Sequence, residues 1–152
     1  MSLEIKEATR KDASLILEFI QGIAKYEKLS DQVEATVEDI ERSIFDHQDA
    51  HVIIAMMNNQ PAGFALYFYN YSTFKGRKGL YLEDLFVKEG YRSQGIGQAL
   101  FEYLRQKAKD ENCGRMEWVC LDWNQNAIDF YHKKGAKSMD EWITFRLDEN
   151  KL

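Results

Sequence analysis

The sequence places two acidic residues inside a segment that otherwise has the composition of a buried strand. Glu83 and Asp84 stand at the centre of "YLEDLFV", which runs from Tyr81 to Val87. Burying an unpaired carboxylate is costly, so such acids are usually ion-paired or lie where a helix leaves the sheet uncovered. Two adjacent carboxylates can also bind a cation or accept a proton from a reacting group.

Strict alternation along this strand predicts that each face of the sheet receives one of the two carboxylates. On that pattern one face carries Tyr81, Glu83, Leu85 and Val87, and the other carries Leu82, Asp84 and Phe86. The strand then runs directly into a loop that contains two glycines.

This glycine-bearing loop opens a helix. Residues 92–97 read Arg-Ser-Gln-Gly-Ile-Gly and precede apolar residues at helical spacing. The free N–H groups and the dipole at a helix start favour anions such as phosphates. Gly95 and Gly97 lack Cβ atoms where a ligand could come close, and Arg92 and Gln94 add side-chain donors. The spacing matches neither the dinucleotide fingerprint nor the Walker loop, and a plain tight turn is the alternative.

The remaining pattern predicts a mixed sheet covered by helices. Strand-like and helical segments follow the order β-α-α-β-β-β-α-β-α-β, which indicates an α/β (α+β mixed sheet) fold in one domain over residues 1–152. Capping boxes that begin at Thr9 and Thr36 mark the first two helices. The turn residues in "NNQP" predict a hairpin, and "ITFRL" at 143–147 predicts a last strand.

Composition narrows the class of protein. The chain has 152 residues, 45% of them hydrophobic, and a net charge of −5, which supplies a core but no broad basic surface for nucleic acid. No apolar run approaches the roughly 18 residues of a membrane span, and the N-terminus lacks a secretory signal, so we expect a soluble cytoplasmic protein. Cys113 and Cys120 are expected to be reduced thiols, and the histidines show no metal-binding spacing.

Four segments of the chain resemble one known family. "FVKEGYRSQGIGQAL" is similar to the signature loop of the GNAT N-acetyltransferase superfamily, in which Arg/Gln-x-x-Gly-x-Gly/Ala cradles the pyrophosphate of acetyl-CoA. "AKYEKL", "LYLEDLFV" and "LDWNQNAIDFYHKKGA" resemble the spermidine/spermine (diamine) and thialysine acetyltransferase branch. The resemblance implies a GNAT-like single domain, acetyl-CoA as co-substrate, no metal and a homodimer.

The resemblance also implies the residues of the site. Cofactor contacts are expected from Leu85, Phe86, Val87, Arg92, Ser93, Gln94, Gly95, Ile96, Gly97, Gln98, Asn124 and Lys134. Contacts with a small cationic amine are expected from Tyr26, Glu27, Glu83, Asp84 and Asp140. Without the resemblance, an exposed helix end would be the better explanation of Tyr26 and Glu27.

Two residues are predicted to move protons. A protonated amine, with a pKa of roughly 10, cannot attack a thioester, and Glu83 is the expected acceptor of its proton, directly or through water. The departing thiolate needs a proton, and the resemblance assigns this donation to Tyr131, whose phenol also has an ordinary pKa of about 10. The alternative for Tyr131 is a packed aromatic residue.

The sequence therefore predicts an N-acetyltransferase that acts by direct attack of a diamine, polyamine or thialysine-like amine. Lys28 interrupts the acidic run after Glu27, which weakens the case for a long polycation. An amino acid, an aminoglycoside, a protein N-terminus or a lysine side chain are alternative substrates. An acyl-CoA-binding module without turnover is the alternative of another class.

Overall fold

The computed structural model describes residues 2–152, and the contacts between them define two compact units. The first unit ends at Trp118, and the second spans Val119–Leu152. A single domain over the whole chain stays a prediction.

The first unit is built on a five-stranded sheet in the order β1-β2-β3-β4-β5. The strands are β1 (Leu3–Glu7), β2 (His51–Met57), β3 (Gln60–Ser72), β4 (Arg77–Val87) and β5 (Met116–Trp118). Neighbours pair antiparallel except β4 and β5, which are parallel. Parallel strands need a crossover connection, and the helix α3 (Ile96–Asp110) supplies it. The mixed sheet confirms the predicted fold class.

Local signals place the first two helices where the sequence predicts them. The Asp12 carboxylate accepts a hydrogen bond from the Thr9 backbone N–H (2.8 Å), and a short 3₁₀ turn leads into α1 (Ala13–Tyr26). The Thr36 hydroxyl accepts from the Asp39 N–H (3.1 Å) at the start of α2 (Val37–Ile40), which continues as a π-helical turn. Both caps satisfy N–H groups that a helix start leaves free.

The sheet is covered on both faces. Phe64 on β3 and Ile54 on β2 pair across the strands and belong to one apolar cluster with α1 and α2. Their neighbours Ile53 and Ala65 pair with each other and therefore face the other side, where α3 contacts β2, β3 and β4. The buried face of α3 consists of Ile96, Leu100, Phe101, Leu104 and Ala108.

The second unit contains α4 (Gln125–Lys133) and a short 3₁₀ turn near the C-terminus. The strand predicted at 143–147 is not formed, and that prediction was wrong. Ile143, Phe145 and Leu147 alternate as strand residues do, yet their side chains are 76%, 89% and 69% exposed. A strand needs a hydrogen-bonding neighbour as well as a suitable pattern, and no residue from 2 to 152 pairs with this segment.

Among residues 2–152, no helix is both long enough and apolar enough to cross a membrane.

Candidate active site

A β-bulge on β4 determines where the two strand acids point. Leu66 on β3 pairs with Asp84, whereas the next residue, Tyr67, pairs with Leu82, so Glu83 is the extra residue of the bulge. An inserted residue resets the alternation of side chains along a strand. Beyond Leu82, the predicted alternation was therefore wrong.

The bulge turns Asp84 toward α1. Phe86 lies on the same face as Asp84, and its ring packs edge-on against that of Phe19 on α1, with 6.3 Å between the centroids. Tyr81 shares this face, because it pairs with Phe68, and those two rings are 4.9 Å apart. Leu82, Leu85 and Val87 instead occupy the α3 face.

The same region of β4 has an open edge. The pairing of β5 with β4 covers only Leu80 to Leu82 on the β4 side. In the part of the chain that the structure describes, no strand pairs with that edge of β4 from Glu83 to Val87. The backbone groups of this edge can bond to an extended ligand.

A close approach of α1 to β4 brings the end of the helix to the strand acids. A Cβ atom added at Gly22 would lie 2.7 Å from the Phe86 ring, so only glycine permits this contact. One turn later α1 ends: Glu27 is the C-cap residue, and Lys28 follows with a left-handed φ of 63°. The Leu29 N–H closes the helix end on the Ala24 carbonyl (2.7 Å).

Glu27, Glu83 and Asp84 form a cluster, which we call the carboxylate triad. Burial, with the charges of Glu83 and Glu27, raises the pKa of Asp84 to about 7. Burial and the charge of Glu83 also raise the pKa of Glu27. Among residues 2–152, no Lys or Arg forms an ion pair with any of the three, which removes the salt-bridge explanation for the strand acids. The triad is a site of unbalanced negative charge.

Asp84→Asn is expected to stabilise the protein by about 2–3 kcal/mol more at pH 8 than at pH 5. The folded state holds the Asp84 proton more tightly than the unfolded state, because its pKa is raised from 3.8 to about 7. The parent therefore loses stability as the pH rises through this interval, whereas asparagine never ionises. Urea unfolding at both pH values measures the effect. Asp49→Asn, at an exposed acid, is the control, and equal effects of Asp84→Asn at both pH values would contradict the assignment.

The loop between β4 and α3 leaves a helix start uncapped. Gly95 is the N-cap residue of α3 with φ 80°, no side chain caps the helix, and its first turn contains no acid. The first-turn N–H groups of Ile96, Gly97 and Gln98 precede the first internal bond, from the Ala99 N–H to the Gly95 carbonyl (3.0 Å). This arrangement fits an anionic phosphate.

Gly95 and Gly97 are explained by different features of the structure. Gly95 has a left-handed backbone, which by itself favours glycine. A Cβ atom at Gly97 would meet only Val87, at an ordinary contact distance of 3.7 Å, so the fold does not require glycine there. A plain tight turn therefore explains Gly95 but not Gly97, whereas a ligand lying close to the helix start explains both.

Gly97→Asp is expected to weaken acetyl-CoA binding by more than about ten-fold without destabilising the fold. The side chain would occupy the space of the phosphates with a like charge, while a carboxylate at a helix N-terminus is itself stabilising. Calorimetry measures the affinity, and Gly97→Ala is the control for size. Unchanged affinity in a folded Gly97→Asp protein would remove the loop from the cofactor site.

The side chain of Arg92 takes a direction that sequence reasoning missed. Its Nε–H donates to the Val87 carbonyl (2.9 Å) at the end of β4. The guanidinium carbon lies 5.4 Å from the centroid of the Tyr26 ring and 5.7 Å from that of Phe86. Arg92 thus connects the loop, β4 and the last turn of α1.

Four predicted site residues belong to the second unit. Tyr131 on α4 is half-buried, and burial together with the charge of Cys120 raises its pKa to about 12. Asn124 is the N-cap of α4 and accepts from the Ala127 N–H (3.3 Å). The Lys134 ammonium lies 5.6 Å from the Phe130 ring centroid, and Asp140 is exposed. Their roles in catalysis and binding stay predictions.

The three convergent acids are not a metal site of the usual kind. In the described residues no three His, Cys, Asp or Glu side chains are placed to hold a metal ion. Glu83, Asp84, the open strand edge and the uncapped helix start lie along β4 and its following loop, and the end of α1 adds Glu27.

Comparison with known proteins identifies the class to which this fold and site belong. The chain belongs to the GNAT acetyltransferase family, since the model for "Acetyltransferase (GNAT) family" matches residues 17–136. A V. cholerae integron cassette protein of known structure superposes with a TM-score of 0.82 and 30% identity, over 99% of this chain and 95% of that one.

The relatives place the chain within a branch of N-acetyltransferases. It is 37% identical to the thialysine N-epsilon-acetyltransferase of Bos taurus, over 95% of this chain and 91% of the relative. It is 33% identical to the human spermidine/spermine N(1)-acetyltransferase-like protein 1, over 98% of this chain and 23% of that longer protein. The protein is therefore an N-acetyltransferase of the thialysine and spermidine/spermine branch, as its motifs predict.

Proposed function

We propose that the protein transfers an acetyl group from acetyl-CoA to a primary amine of a small cationic substrate, such as thialysine, a diamine or a polyamine. The carboxylate triad is the observation that carries this proposal. Three acids without a counter-ion repel one another, and a bound ammonium group would relieve the repulsion. The names of the relatives support the same class of substrate.

The triad has two tasks in this reaction. Asp84 and Glu27, whose pKa values are raised by burial and by neighbouring charge, gain most from a cation and therefore bind and orient it. Glu83, exposed on the bulge, accepts the proton of the ammonium group directly or through water. The neutral amine then attacks the acetyl carbonyl directly, without a covalent enzyme intermediate.

The residues present fit acetyl-CoA, which supplies the acetyl group as a thioester. The loop from Arg92 through Gln98 offers backbone N–H groups at an uncapped helix start to the pyrophosphate. Leu85, Phe86 and Val87 offer an open strand edge to the extended arm that carries the thioester. We place no metal in this reaction.

Tyr131 is proposed to protonate the leaving thiolate. A phenol whose pKa is raised to about 12 stays protonated at neutral pH and remains available as a donor. Asn124 and Lys134 are proposed to contact the cofactor, and Asp140 to contact the amine.

Lys28 argues for a short substrate. It follows Glu27 directly, so a second ammonium group moving along the helix end would meet a cation before it reached Asp31. Thialysine or a short diamine fits this charge distribution better than a long polyamine does.

A panel of amines with acetyl-CoA, followed by thiol release, tests the proposal. Thialysine, ornithine, putrescine and spermidine represent the proposed class, while an aminoglycoside, an uncharged amino acid and peptides with a free N-terminus or lysine represent the alternatives. The best kcat/KM is expected for thialysine or a short diamine. Preference for an alternative amine would contradict the substrate class, and acetyl-CoA binding without thiol release from any amine would indicate a non-catalytic binding module.

We further propose a cytoplasmic homodimer. Exposed apolar side chains support self-association, among them Trp142 and Phe145, which are 76% and 89% exposed in the single chain. Outward residues of the aromatic run in β3, such as the exposed Tyr71, are a second expected contribution to the interface. Light scattering at several concentrations tests the oligomeric state.

A further inference from the structure

We propose that Arg92 is a positioning residue that couples the cofactor loop to the amine site by holding the ring of Tyr26. This inference rests on the proposed function, because it assigns the loop to the cofactor and the triad to the amine. It differs from a simple phosphate-binding role in predicting that changes at Arg92 alter amine affinity.

The first support is the anchoring of the arginine. The Nε–H bond to the Val87 carbonyl (2.9 Å) fixes the base of the guanidinium plane at the end of β4. The guanidinium carbon lies 5.7 Å from the centroid of the Phe86 ring and 5.4 Å from that of the Tyr26 ring. Both distances lie within the roughly 6 Å at which a cation is attracted to an aromatic face.

The second support is the position of Tyr26. It precedes Glu27 of the triad and is 43% exposed, so part of its ring faces solvent. A guanidinium over the ring reduces the number of rotamers that the ring can adopt. The amine would therefore meet a preorganised ring beside the acids, which lowers the cost of ordering on binding.

The third support concerns the group with which the charge of Arg92 interacts. The raised pKa values of Glu27 and Asp84 have burial and neighbouring acids as their causes, with no lowering contribution from Arg92. Arg92 therefore does not neutralise the triad, although it lies against the residue next to Glu27. Its contact with Tyr26 explains why the side chain extends toward the end of α1.

The fourth support is the set of donors that remain. A guanidinium carries five N–H donors, and the Val87 carbonyl takes the one on Nε. Within residues 2–152 the terminal nitrogens of Arg92 donate to no acceptor, so a phosphate in the loop could receive them. A phosphate bound there would hold the guanidinium in place, and the guanidinium would hold Tyr26.

Such coupling is reciprocal, because a ligand that tightens the binding of another is itself bound more tightly by the same factor. A cation–π contact of this kind corresponds to about a two- to thirty-fold change in affinity. We expect saturating CoA, which has no acetyl group to transfer, to tighten thialysine binding by that factor. Arg92→Met should abolish the enhancement, and Arg92→Lys, which keeps the charge but loses the planar group, should retain part of it.

Calorimetry of thialysine with and without saturating CoA measures the coupling. Arg105→Met is the matched control, because its guanidinium lies 5.9 Å from the Phe101 ring centroid on α3, outside the proposed site. Tyr26→Leu should remove the same enhancement, and the double variant with Arg92→Met should be no worse than either single one. Equal enhancement in the parent and in Arg92→Met would overturn the proposal.

A second measurement does not depend on which amine is acetylated. The NMR signal of the Tyr26 ring, assigned with Tyr26→Phe, should shift when CoA saturates the parent and stay nearly unchanged when CoA saturates Arg92→Met. A shift of equal size in both proteins, or no shift in the parent, would overturn the coupling. Failure of the whole amine panel would instead overturn the proposed function, so the two failures are distinguishable.

Discussion

Replacing Tyr131 with phenylalanine is expected to lower turnover by about 10²–10⁴-fold with little change in melting temperature. The substitution keeps the ring, which packs against Phe130 with 5.4 Å between the centroids, and removes only the hydroxyl. A proton donor loses its chemistry through this change, whereas a packed aromatic residue tolerates it. Water could act as a substitute donor, which would place the loss at the low end of the range.

The measurement is steady-state turnover at saturating amine and acetyl-CoA, with a thermal melt on the same preparation. Tyr103→Phe is the matched control, because Tyr103 is 36% exposed on α3 and has no proposed role. Parental turnover in Tyr131→Phe would make Tyr131 a packing residue and direct the search for the donor to an ordered water.

Replacing Glu83 with glutamine is expected to lower turnover by about 10²–10⁴-fold and to leave acetyl-CoA affinity nearly unchanged. Glutamine keeps the size of the side chain and the bulge geometry but cannot accept the amine proton at neutral pH. The parent rate should climb with pH, because the amine must lose its proton before it attacks, and this dependence should change in Glu83→Gln.

The pH–rate profile and calorimetry with acetyl-CoA test this prediction together. Glu34→Gln, at an exposed acid distant in sequence from β4 and the loop, is the control for removing one charge. If Glu83→Gln shows the parent's turnover and pH profile, Glu83 only positions the substrate or packs. Asp84 would then be the next acceptor to test, because burial and the neighbouring acids raise its pKa to about 7.

Interactions that are local along the chain can be predicted from the sequence. Capping depends on residues three apart, and Thr36 with Asp39 forms the expected pair of bonds. The hairpin between β2 and β3 turns on Asn58 and Asn59, both with left-handed backbones, as the turn residues predict. Motifs of consecutive residues also indicate the glycine loop, the helix that follows it and the family.

The geometry of the site depends on tertiary structure, because its contacts join residues distant in sequence. The alternation of Glu83 and Asp84 fails at a bulge that only the pairing of β4 with β3 reveals. The meeting of Glu27 with Asp84 requires Gly22 to admit Phe86 against α1.

Two further features could not be predicted from the sequence alone. The contact of Arg92 with the Tyr26 ring joins two distant elements, and no spacing in the loop predicts it. The segment 143–147 has a strand pattern without forming a strand in the single chain, since a strand also needs a neighbour to supply its hydrogen bonds. The sequence by itself therefore determined the family, the elements up to α4 and the identity of the acids. Packing between distant elements decided which face Asp84 occupies, how the triad is assembled and what Arg92 contacts.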